Sequence, residues 1–140
     1  MTNGIGEPTS GPRRVALLGS AGSIGRQAVD VLAALPERFQ VVALATGSNA
    51  EVLARQADRL GVLTTAIGPS DAALVELATR DDVDIVVVAT GGIVSLRPVL
   101  AALDAGKVVA TANKETLVAG GHLVMPAARR LAANRADADA

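Results

Sequence analysis

Seven residues, Gly19-Ser-Ala-Gly22-Ser-Ile-Gly25, have the composition and spacing of a loop that binds phosphate. Their pattern, G-x-x-G-x-x-G, is a variant of the dinucleotide fingerprint G-x-G-x-x-G, in which each glycine has its own task. Gly19 lets the chain turn sharply out of a strand. Gly22 lets backbone amides approach a pyrophosphate. Gly25 removes a side chain where helix and strand pack closely. The unpaired N–H groups of the following helical turn then face the phosphates, and the helix dipole favours negative charge there. Ser20 and Ser23 add hydroxyl donors. Glycines also build ordinary tight turns, so it is the apolar run before the loop and the helical spacing after it that favour nucleotide binding.

A second group, Thr46-Gly47-Ser48-Asn49, bears on the choice of cofactor. Domains that use NAD usually place Asp or Glu at this point to bind the ribose 2′-hydroxyl. A carboxylate would repel a 2′-phosphate, whereas this loop is neutral and rich in donors, which favours NADP. No Arg or Lys fills position 48 to clamp that phosphate. Ser48 or Asn49 also suits the cap of the next helix, and the two roles are compatible.

The third group is Asn113-Lys114-Glu115. Lys114 and Lys107 are the only lysines of the chain, and Lys114 comes just after a buried strand. That is the carboxyl edge where open α/β sheets bind ligands. A compact ammonium there suits a phosphate or hydroxyl of a small substrate, and Asn113 can hydrogen-bond a nicotinamide ribose or amide. The same residues would equally make a solvated polar turn. Glu115 has no carboxylate partner and reads as a hydrogen-bonding group rather than an acid or base. His122, the single histidine, follows two glycines and reads as a surface residue. No residue is assigned to catalysis or to a metal.

These groups need a scaffold, and the chain supplies an alternating one. Apolar runs over Val15–Leu18, Gln40–Ala45, Thr64–Ile67, Asp84–Ala89 and Lys107–Thr111 read as buried strands. Helical spacing covers Ile24–Leu35, Ala50–Leu60, Ala72–Thr79, Pro98–Ala105 and Leu123–Ala133. Pro98 takes a tolerated first-turn position, and Gly106 stops its helix. Strands alternating with helices over short loops predict α/β architecture, a doubly wound parallel sheet of the Rossmann-like NADP-binding kind. Residues 1–12, rich in Gly and Pro, are expected to be a disordered leader. Residues 13–134 form the domain, and 135–140 a tail.

Composition narrows the classes further. Of 140 residues half are hydrophobic, and Phe39 is the only aromatic, so the core must be aliphatic. Such a core suits a parallel sheet covered on both faces. A formal charge of −1 with no basic run offers no footprint for nucleic acid. With no cysteine and one histidine there is neither disulfide or thiolate chemistry nor a clustered zinc site. No apolar run reaches membrane-spanning length, and a cytoplasmic location is the expectation.

The motifs taken together resemble one enzyme family. Gly19-Ser-Ala-Gly-Ser-Ile-Gly25, Gly47-Ser-Asn49, the proline-started helix ending in Ala105-Gly-Lys107, and Ala112-Asn-Lys-Glu-Thr-Leu-Val118 followed by Ala119-Gly-Gly121 look like successive signatures of the 1-deoxy-D-xylulose 5-phosphate reductoisomerases. The resemblance runs from about Val15 to Ala128. It implies an oxidoreductase of non-mevalonate isoprenoid biosynthesis that rearranges 1-deoxy-D-xylulose 5-phosphate. NADPH then reduces the intermediate to 2-C-methyl-D-erythritol 4-phosphate. By the same resemblance Ala21, Gly22, Ser23 and Ile24 line the pyrophosphate loop, and Gly47, Ser48 and Asn49 hold the adenosine side. Asn113 and Glu115 contact NADPH, and Lys114 reaches the substrate. For the full-length family it also implies Mg or Mn and a homodimer.

Several positions depart from the family pattern. Ala21 stands where Thr is usual, Ser48 where a basic residue often appears, and Ser95 where Gly is common. The acidic metal-binding motif, the catalytic domain and the C-terminal helical domain follow the matched region and are not found here. Asp137 and Asp139 lack that motif's context. The expectation is therefore a truncated NADPH-binding domain, inactive by itself. Alternatives are a stand-alone NADP-binding or regulatory module, or another NADP-dependent reductase. A semialdehyde dehydrogenase would need a catalytic cysteine that this chain lacks.

Overall fold

The computed structural model describes residues 11–89 and 96–111. Five strands and four helices alternate: β1 (Arg13–Leu18), α1 (Ser23–Ala34), β2 (Phe39–Thr46), α2 (Ala50–Leu60), β3 (Thr64–Ile67), α3 (Asp71–Ala78), β4 (Ile85–Val88), α4 (Leu96–Asp104) and β5 (Val108–Thr111). The strands form one parallel sheet in the order β3-β2-β1-β4-β5. The order reverses between β1 and β4, so the first glycine loop sits beside the switch point of the sheet. That is where open α/β sheets bind ligands.

Alternation along β1 divides the core in two. Val15 and Leu17 face α1 and α2, packing with Val29, Leu32, Leu53 and Val62. Ala16 and Leu18 face α3 and α4, packing with Leu74, Leu77, Val99 and Leu103. The sheet is thus buried on both faces by aliphatic side chains, as the aromatic-poor composition requires. The register between β1 and β2 slips at Val15/Ala16, where Val41 pairs with Val15 but Ala43 pairs with Ala16. This bulge sends Val42 and Ala43 to the same face, and lets Val41 and Leu44 share the other.

The element order follows the sequence expectation, with shifts at the ends. β1 begins at Arg13 because Arg14 is held from both sides of its backbone. Its N–H donates to the Asp84 carboxylate at 2.8 Å, and its carbonyl accepts from Asp84 N–H at 2.8 Å. α4 begins at Leu96, two residues before Pro98. A proline there costs no helical hydrogen bond, because the first-turn N–H groups have no acceptor within the helix. The expected stop at Gly106 is present. Its φ of +83° lets Lys107 N–H reach back to Ala102 O at 2.9 Å. The helix expected over Leu123–Ala133 lies outside the described residues.

Ion pairs gather at the amino edge of the sheet, away from the loops. Arg14 binds Asp84 with Nε 3.3 Å from Oδ2, and Arg80 binds Asp82 at 2.8 Å. Lys107 Nζ donates to Arg80 O at 2.7 Å, so this lysine holds a strand start. Burial pushes the Asp84 carboxyl up, but side-chain and backbone hydrogen bonds from Arg14 and the nearby guanidinium charges outweigh it. They hold the group below the usual carboxylate range. Hydrogen bonding from Arg80 lowers Asp82 likewise.

Candidate dinucleotide-binding site

β1 ends in Leu18, fully buried between β2 and β4, and Gly19 turns the chain out with φ +92°. An L-residue with a side chain rarely adopts that angle. The N–H groups of Gly19 and Ser20 both donate to Ala45 O, at 2.7 and 3.0 Å, which ties the loop to the end of β2. The next three carbonyls are also committed. Ser20 O accepts from Gln56 Nε2 at 2.9 Å, Ala21 O from Arg26 Nε at 2.9 Å, and Gly22 O from Arg26 N–H at 2.8 Å.

The N–H groups of Ala21, Gly22, Ser23 and Ile24 have no acceptor among the described residues. They open the N-terminus of α1, whose cap residue Gly22 offers no side-chain hydrogen bond and whose first turn holds no carboxylate. An uncapped positive helix end with its carbonyls turned away is a seat for an anion.

The two remaining glycines differ in what they need. A Cβ on Gly25 would overlap the Gly19 carbonyl oxygen and lie 2.7 Å from the Ser20 carbonyl carbon. Close approach of α1 to the loop therefore depends on Gly25. At Gly22 the nearest heavy atom to a Cβ would be Gly19 O at 4.0 Å, and φ is −75°. The fold itself leaves room for a side chain at exposed Gly22.

One sequence expectation fails here. Ser20 was expected to offer a hydroxyl to the ligand, but its side chain is 0% exposed and its Oγ is sealed inside, with no partner among the described residues. Ser20 directs its side chain inward because both its N–H and its carbonyl are tied to β2 and α2. Ser23, by contrast, is exposed. So is Ile24, at 47%, which places an apolar side chain beside the free amides.

The second loop rises at the same edge. Thr46 is buried and Gly47, Ser48 and Asn49 are exposed. Asn49 caps α2: its Oδ1 accepts from Val52 N–H at 3.2 Å and its backbone, at φ +27°, enters the left-handed region. The cap is therefore Asn49 rather than Ser48, which leaves the Ser48 side chain uncommitted. Sequence reading passed over Glu51, a carboxylate in the first turn of α2, paired to Arg55 at 3.9 Å on the exposed face. It also passed over Gln56 and Arg26, which reach the glycine loop from helical positions that carry no motif.

β5 ends at Thr111 on this edge, next to β4. Asn113, Lys114, Glu115 and His122 lie outside the described residues, as do Ser95, Asp137 and Asp139. Among the described residues no group of three or more His, Cys, Asp or Glu could hold a metal ion. Hollows of about 270 and 330 Å³ lie beside Phe39 and beside Thr64, away from the glycine loop.

The family model for 1-deoxy-D-xylulose 5-phosphate reductoisomerase matches residues 15–69 and 61–121. The chain belongs to this reductoisomerase family. A relative from Leifsonia xyli subsp. xyli, itself a 1-deoxy-D-xylulose 5-phosphate reductoisomerase, is 53% identical over 116 residues. The match covers 83% of this chain and 32% of that protein. The reductoisomerase of Mycobacterium marinum is 44% identical over 143 residues, covering 92% of this chain and 36% of its own length. In structure the chain is similar to the Zymomonas mobilis reductoisomerase in complex with NADPH. The TM-score is 0.78 and identity 34%, over 86% of this chain and 37% of that one. Biliverdin reductase from Synechocystis, in complex with biliverdin and NADP+, superposes less closely, with a TM-score of 0.68 and 27% identity. This reductoisomerase-family chain therefore spans about a third of the length of the curated relatives it matches.

Proposed function

We propose that this chain is the NADPH-binding domain of a 1-deoxy-D-xylulose 5-phosphate reductoisomerase. Such an enzyme rearranges 1-deoxy-D-xylulose 5-phosphate and reduces the intermediate to 2-C-methyl-D-erythritol 4-phosphate. The carrying observation is the run of four N–H groups at residues 21–24 that have no acceptor among the described residues, while the carbonyls of Ser20, Ala21 and Gly22 are held elsewhere. Bound there, the dinucleotide pyrophosphate meets donors already in place, without reorganisation. Gly47, Ser48 and Asn49 receive the adenosine ribose. The nicotinamide supplies hydride chemistry, and the protein's part is to hold and orient it. Asn113 and Glu115 contact the cofactor, and Lys114 reaches the phosphorylated substrate.

A related reductoisomerase has been solved with NADPH, fosmidomycin and magnesium. The described residues of this chain offer no ligand cluster for such an ion, so no step is assigned to a metal here.

Cofactor choice tests the reading. Titration by nucleotide fluorescence should show tighter binding of NADPH than NADH, because no carboxylate stands at residues 46–49 to meet a 2′-hydroxyl. Ser48→Arg should strengthen NADPH about tenfold by adding a charge-assisted phosphate contact, and Ser48→Asp should reverse the preference. Equal affinity for both nucleotides, unmoved by either change, would show that this loop does not read the ribose.

A further inference from the structure

We propose that Arg26 is a positioning residue for the pyrophosphate, acting through its Nε–H rather than through its charge. The proposal rests on the NADPH-binding reading above. In a trans peptide the carbonyl and the next residue's N–H point in opposite directions. Ala21 O and Gly22 N–H belong to one such unit. By holding Ala21 O at 2.9 Å, Arg26 Nε turns the Gly22 N–H away from α1, toward the open side of the loop. Gln56 does the same one unit earlier, holding Ser20 O and so directing the Ala21 N–H. Without these anchors either peptide could flip and present a carbonyl to the phosphate, and that lone pair would repel it.

The placement of Arg26 argues against a role resting on charge. It is exposed in the first turn of α1, at the positive end of the helix, where a cation is unfavourable. Arg14, Arg55, Arg59 and Arg80 each pair with a carboxylate, but Arg26 has no such partner among the described residues. The one hydrogen bond of its side chain among the described residues runs to a loop carbonyl, Ala21 O. Because that carbonyl and the directed N–H face opposite ways, the guanidinium sits behind the peptide that would meet the anion.

Two substitutions separate the donor from the charge. In glutamine, Nε2 stands the same number of bonds from Cα as the arginine Nε, so Arg26→Gln keeps a donor and loses the charge. Arg26→Met fills the same space with neither. Affinities for NADPH and NADH are measured with the 140-residue chain, and thermal unfolding of each variant is followed alongside. Arg26→Met should weaken both nucleotides equally, by roughly five- to tenfold, with an unchanged unfolding midpoint. Arg26→Gln should stay within about twofold of wild type. Equal losses in both variants would overturn the proposal in favour of charge, and loss for NADPH alone would move Arg26 to the 2′-phosphate. No loss in either would also overturn it. Should Arg26→Met fail to fold, Arg26→Gln alone decides by the same limits. A wild-type chain that binds neither nucleotide sinks the NADPH-binding reading itself, an outcome distinct from any of these.

Discussion

Gly22 and Gly25 occupy equivalent places in the motif and do opposite things in the structure. Gly25 is demanded by the protein, since a Cβ there would run into the backbone of Gly19 and Ser20. Gly25→Ala should cost about 2–3 kcal/mol or more, as α1 is forced off the loop, and urea unfolding would measure it. Gly22→Ala, with open space around its Cβ, should change stability by no more than about 0.5 kcal/mol in the same experiment. Motif spacing alone assigned the tasks of Gly19 and Gly25 correctly. It misplaced the Ser20 hydroxyl, because a side chain's direction depends on which backbone groups β2 and α2 claim. Neither Gln56 nor Arg26 could be found that way, since their partners lie in a loop 36 and 5 residues away.

At the scale of elements the caps and strand ends carry the site. Asn49 closes α2 while bending the second loop at φ +27°. Asn49→Ala loses the cap and leaves alanine in a left-handed conformation, so a destabilisation of about 1–2 kcal/mol is expected. Ser70 caps α3 through Ala73 N–H at 3.2 Å, with ordinary backbone angles. Ser70→Ala should therefore cost less, about 1 kcal/mol, and thermal unfolding of the two variants would rank them. β3 and α2 match their expected limits residue for residue, because glycine, proline and Asx signals bracket them. The start of β1 was not legible. Arg13 and Arg14 break the apolar run that reads as strand from Val15, and pairing with Phe39 and Gln40 at the start of β2, with Asp84 holding Arg14, draws them into the sheet.

Across the described residues, the sheet separates a charged amino edge that holds strands together from a carboxyl edge that carries the two glycine-containing loops. Asp82 and Asp84 have folded pKa values below the ordinary 3.8, so their pairs stabilise the fold above that value. That contribution is lost as pH falls from there through the lowered values. Asp84→Asn should lower the unfolding midpoint at neutral pH and flatten its decline on the acid side. An acid limb as steep as the wild type's would show that the pair adds nothing. The doubly wound order was legible from alternating apolar runs, and the two-sided core from the near absence of aromatics. The β1–β2 bulge was not, since Val41-Val42-Ala43 reads as uninterrupted strand.

The seat for the pyrophosphate at residues 21–24 is tested most directly by calorimetric titration of NADPH into the wild-type chain and Gly22→Val. The backbone at Gly22 tolerates any L-residue, so circular dichroism should show the variant folded. Its branched side chain would fill the place of the phosphates, and the heat of binding seen with wild type should disappear. A folded Gly22→Val chain that binds NADPH as tightly as wild type would contradict the account.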